Sequence, residues 1–199
     1  MKRIISLLLV CLFAAMPLAG CHKDEKKKSS IVVAKHQTSD DCEEAFREFF
    51  SATYSENAGE ICLAYMYPAK VMNAYRNNGQ YEDYVVMYNN HQQKFVSNLA
   101  SIPEITEITG RTELNDEQLQ CALKYFIAKS AELVTGMTED DIKVTKGTEI
   151  SLRFKDQEQQ EQDDKETMVY IEDDGWKCIP YSLERLTEIY SGEAAEPTT

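Results

Sequence analysis

Residues that mark chemistry are scarce in this chain of 199. Its three histidines, His22, His36 and His91, are far apart, and no Cys-x-x-Cys or His-x-x-x-His pair occurs, so a zinc centre of the usual spacing is excluded and no metal is expected. The acidic stretch from Asp156 to Glu166 has no glycine for the sharp turn of a calcium loop, and reads as a long solvated turn. Positive charge is also short. The 21 Lys and Arg stand against 34 Asp and Glu, and the net charge of -13 repels phosphate backbones and excludes nucleic acid as a partner. No apolar run reaches the roughly 20 residues that a membrane-spanning helix needs, since Ile4 to Met16 stops short. No internal repeat is visible. No cofactor motif stands out, and none is expected.

What is there begins with an address. Lys2 and Arg3 form a basic start, an apolar run follows, and small residues precede Cys21, which are the three parts of a secretory signal. The segment Leu18-Ala19-Gly20-Cys21 resembles the lipobox of bacterial lipoprotein precursors at all four positions. That resemblance implies a diacylglyceryl group on Cys21, cleavage before it and a further acyl chain, placing the protein at the extracytoplasmic face of the cell membrane or envelope. Two chains hold where one is marginal. The envelope type, Gram-positive or Gram-negative, stays open. Loss of residues 1–20 removes two positive charges and no negative ones, taking the net charge from -13 to -15. The Lys26-Lys27-Lys28 cluster lies where anionic head groups would meet it.

Four segments follow from the composition: a signal over 1–20, a lipidated cysteine with a flexible tether over 21–38, one folded domain over 39–190, and a polar tail over 191–199. Helical spacing predicts a helix from Cys42 to Thr53, capped at Ser39-Asp40-Asp41 with Asp40 and Glu43 paired as in a capping box. Short helices follow around Ile61 to Met66 and after Pro68. In a longer one, Tyr84, Tyr88, His91, Phe95 and Leu99 make one apolar stripe. Residues 104–113 read as a strand, and Asn115 starts a helix carrying Leu119, Ala122, Leu123 and Phe126. From Lys143 the period is two, with Ile150, Leu152 and Phe154 on a buried face and Glu149, Ser151 and Arg153 on a wet one. Met168 to Asp173 and Trp176 to Tyr181 form a hairpin about Asp174-Gly175, whose two-residue register sets Glu172 opposite Lys177 and Tyr170 opposite Ile179. A short helix spans Leu183 to Tyr190.

Helices first, then an antiparallel sheet, make an α+β domain. With the Phe49-Phe50 helix, the Tyr67-Pro68 step, the strand Val144 to Leu152 and Gly175-Trp176-Lys177, this order resembles the nuclear transport factor 2-like (cystatin-like) superfamily. The resemblance implies helices packed on a curved antiparallel sheet that closes into a cone around a cavity. In that family the cavity serves ligand binding, catalysis or dimer contacts. The helix at 115–134 departs from the pattern, as an extra element inserted between strands.

Four cysteines remain in the domain. Cys42, Cys62, Cys121 and Cys178 are even in number in an exported chain, which points to two disulfides with three possible pairings. Cys121 projects about 200° from Leu119 on the helical period, toward the polar face. His91 is the one histidine of the domain and the single weak candidate for a catalytic base. Tyr54, Tyr65, Tyr84, Tyr88 and Tyr170, with His91, are the candidate pocket residues, since such rings combine apolar area with a polar handle. The expectation is a membrane-anchored, non-enzymatic module that binds a small ligand or an envelope protein. A small cavity enzyme and a structural or homodimer-forming envelope domain are the alternatives.

Overall fold

The computed structural model describes residues 38–191. The signal, Cys21, the tether up to residue 37 and the tail from 192 lie outside the described residues. Six α-helices and four strands follow in order: α1 (Cys42–Thr53), α2 (Gly59–Met66), α3 (Ala69–Asn77), α4 (Tyr81–Val96), β1 (Glu104–Glu113), α5 (Asp116–Ser130), β2 (Val144–Lys155), β3 (Glu161–Ile171), β4 (Gly175–Ile179) and α6 (Leu183–Tyr190). The strands form an antiparallel meander in the order β1-β2-β3-β4, and the sheet is open.

The period of two puts apolar side chains on both faces of this sheet. Ile150, Leu152, Phe154, Met168, Trp176 and Cys178 point inward, where α1 to α4 bury them with Phe46, Phe49, Leu63, Tyr65 and Val71. Val169, Ile171 and Ile179 point outward, where α5 and α6 cover them with Ala122, Phe126, Leu183 and Leu186. The α5 excursion therefore leaves the strand order intact. It begins at an Asn115 capping box, in which Asn115 Oδ1 accepts from Gln118 N at 3.0 Å and Gln118 Oε1 accepts from Asn115 N at 2.9 Å. It then lies on the opposite side of the sheet from the first four helices. Gly147 makes room for this crossing, since a Cβ there would meet Leu114 and Val169 side chains at 2.9 Å.

Several expectations are corrected. Asp41, one residue later than Asp40, caps α1, accepting from Glu43 N and Glu44 N at 2.9 Å. The Asp40 carbonyl is engaged elsewhere, by the Trp176 indole N–H at 2.9 Å. Asp156 to Glu166 is not one long turn, because β3 begins at Glu161 and pairs with β2 along its whole length. Polar alternation hid the strand: its acids and amides carry the same period of two as an apolar strand. The β3–β4 register also differs, with Tyr170 opposite Trp176 and Val169 opposite Lys177. Three residues, 172–174, make the turn, with Asp173 at φ 61° and Gly175 at φ 89°. Glu172 then pairs with Lys143 rather than Lys177. The face of β2 expected to be wet is wet only in part, since Glu149 is buried beneath α6, whose Leu183 N–H it accepts at 2.7 Å.

Candidate functional site

The polar groups that break into the inner core come from β3, β4 and the turn between them. Lys177 is 2% exposed, and its ammonium donates to the Ala64 carbonyl at 2.8 Å and to Asp174 Oδ1 at 2.7 Å. Asp174 Oδ2 accepts from Ala69 N at 2.5 Å. The pair thus answers the last carbonyls of α2 with a cation and the first amides of α3 with an anion, as the two helix dipoles require. Beside it lies a pit of about 20 Å³ lined by Glu60, Tyr67, Met72, Arg76 and Tyr81, room for one water molecule.

A second polar island sits farther along β3. Asp164 and Glu166 alternate onto the inward face opposite Leu152 and Ile150. Cys178 Sγ lies 3.1 Å from Glu166 Oε2 and donates to it. Burial pushes the Glu166 carboxyl up to about 7; the thiol contact lowers it and Asp164 raises it further. Asp164 is raised by burial too. Tyr54, stacked on Phe50 at 5.0 Å and on Phe95 at 6.0 Å, has its hydroxyl raised first by burial and then by these two carboxyls.

The third feature is an open groove of about 470 Å³ between α1 and β1, lined by Glu43, Arg47, Thr106, Glu107, Thr109 and Arg111. Glu43 bridges Arg47 and Arg111 across it, and the Arg47 hydrogen bond is the main cause that holds its carboxyl below the usual range. Strand β1 pairs with β2 alone, has no strand on its other side among the described residues, and is bulged near Thr106 and Thr109.

The residues singled out from sequence fall as follows. His91 is exposed, and the inward position on α4 belongs to Gln92, four residues beyond Tyr88. Gln92 Nε2 donates to the Ala52 carbonyl at 2.8 Å and reaches Cys62 Sγ at 3.3 Å. The Tyr65 hydroxyl is joined to Glu48, and the Tyr88 hydroxyl donates to Met66 Sδ at 3.5 Å. Tyr84 meets the Tyr67 hydroxyl at 3.4 Å and the Tyr75 ring edge-on at 5.4 Å. Tyr170 lies edge-on to Trp176 at 5.5 Å, with Lys146 above its ring at 4.7 Å. Tyr54 thus lies by Glu166 and Asp164 of β3, whereas Tyr170 lies near the strand's other end, beside Trp176. None of the set lines the pit or the groove described above.

All four cysteines of the domain are free thiols. Cys121, expected toward the polar face, is 1% exposed, because α5 is buried on more than one side by the sheet and α6. Burial pushes the Cys42 thiol up to about 12 and the Cys62 thiol up to about 11, which leaves both protonated and unreactive near neutrality. Among the described residues no group of three or more His, Cys, Asp or Glu is placed to hold a metal ion, and no helix is long and apolar enough to cross a membrane. Sequence reasoning missed Asp174, Lys177, Glu166 and Gln92. The one available signal was the Asp-Gly step at 174, which marked a turn without disclosing that the carboxylate turns inward.

Comparison with protein-family models, with curated proteins and with solved structures finds no significant match.

Proposed function

We propose that the protein is an extracytoplasmic lipoprotein, held to the cell envelope by lipid on Cys21, and that its domain is a non-enzymatic ligand- or protein-binding module. The observation that carries the reading of the domain is the filled inner layer. Phe46, Leu63, Tyr65, Ile150 and Met168 are fully buried there, and the hydroxyls of Tyr65, Tyr67, Tyr84 and Tyr88 are joined to other side chains. The open groove between α1 and β1 is the surface that a partner can reach, and its alternating Glu and Arg side chains suit a polar peptide segment.

The nuclear transport factor 2-like reading belongs to the same proposal. Its support is the order of helices before an antiparallel meander and the terminal Asp-Gly-Trp-Lys turn; the outer layer of α5 and α6 is this chain's addition to that pattern. The cavity-enzyme alternative gains nothing from His91, which faces solvent.

Two measurements test the proposal. Labelled palmitate should mark the wild-type protein and leave a Cys21→Ser variant unmarked; a wild-type chain that takes up no label, or a variant that takes up as much, overturns the anchor. A photo-crosslinking residue at Thr109 on living cells should trap a discrete partner that the same residue at exposed Val86 does not. Identical adducts from both positions reject the groove.

A further inference from the structure

The Glu166 carboxyl lies beneath the helical layer with acids, thiols and apolar side chains around it. On its own strand the inward neighbours are Asp164 and Met168, and across the sheet it faces Ile150 on β2 and Cys178 on β4. Tyr54, at the C-terminal cap of α1, is close enough for its hydroxyl to feel both carboxyls. Behind Cys178 come Cys42 of α1 and Cys62 of α2, and Cys62 is in turn bonded by Tyr88 and Gln92 of α4. None of these groups is a cation. The nearby basic side chains are turned to other partners: Lys165 to Glu149, Lys177 to Asp174, and Arg111 to Glu43. A half-buried carboxylate without a positive partner and with a second carboxyl beside it is costlier to ionise than one in water.

We propose that Glu166 is a proton-operated latch, which lets α1 and α2 lie against β3 and β4 while it is a neutral acid beside Asp164 and loosens that layer when it ionises. One proton leaves the carboxyl to solvent, and no covalent bond changes. An ionised Glu166 would stand beside Asp164 on one strand face, so like charges two residues apart would push against the aromatic lid of Phe50 and Tyr54.

The direction follows from linkage. An acid that ionises near 7 when folded and at 4.5 when unfolded is held more tightly by the folded state, so its favourable share is complete below about 4.5 and is lost as pH rises toward about 7. The full-length protein should therefore show a folding constant that falls on the order of 100-fold across this window. Amide exchange in Phe46 to Thr53 of α1, corrected for the intrinsic rate, should quicken over the same range. Glu166→Gln, always neutral, should hold a flatter profile, and Asp164→Asn should move the wild-type midpoint down. Parallel profiles for wild type and Glu166→Gln overturn the proposal. Carbon-13 titration of the Glu166 carboxyl in the wild-type protein decides alone if the Gln variant does not fold, since a midpoint near 4.5 also overturns it.

Discussion

At the scale of residues, the pair Asp174 and Lys177 concentrates the consequences of burial. Each charge is desolvated, each is bonded to the other, and each also answers a helix end, so removing one leaves the other buried without its opposite charge. Asp174→Ala should cost about 3–5 kcal/mol in a denaturant titration, with Lys177→Met in the same range. The double variant should cost less than the sum of the two, because no orphan charge remains. His91→Gln, by contrast, changes a solvent-facing side chain and should alter stability by no more than about 0.5 kcal/mol. The sequence could not separate these residues. His91 was one step off the inward position because Tyr88 and Phe95 are seven apart and accept either 91 or 92 between them. Lys177 shares the outward register of Val169 and Ile179, yet its side chain is buried and its ammonium reaches Ala64 and Asp174, a place to which no hydropathy pattern assigns a lysine.

At the scale of elements, the helices were legible because their ends carry chemistry. Asn115 with Gln118 is read directly from the chain, and the structure has both of its hydrogen bonds. Asn115→Ala should destabilise by about 1 kcal/mol, measured by chemical denaturation. The buried face of β2 was equally plain from Ile150, Leu152 and Phe154. Strand β3 was half hidden, since its first half alternates among acids, lysine and glutamine that sequence cannot divide into inner and outer sets. The β3–β4 turn went astray for a different reason. Its register is set by distant partners, the amide of Ala69 and the carbonyl of Ala64, rather than by the local Asp-Gly step. A crowded spot on β2 offers another check: Gly147→Val should press on Leu114 and Val169 and lower the melting temperature by several degrees, because overpacking typically costs 1–3 kcal/mol.

At the scale of the whole molecule, one sheet serves two cores, and that doubling was not foreseen. The reading from sequence placed helices on a single curved face, whereas α5 and α6 build a second layer on the outside. The surplus of acid acts on the assembled domain as a body. A chain of net charge -13 repels itself, so raising sodium chloride from low ionic strength to 0.5 M should raise its melting temperature; a fall would show that the surface ion pairs, and not the net charge, govern its salt response.

The bonds that close the inner layer join residues far apart in the chain: Trp176 to Asp40, Lys177 to Ala64, and Ala69 to Asp174. During synthesis from the amino end, the first four helices therefore emerge long before the strand that will seal them. Their greasy sides must wait uncovered until about the last eighth of the polypeptide arrives, so the nascent protein depends on an escort or on speed to avoid clumping, and truncation just before residue 175 should yield aggregate rather than a smaller folded unit.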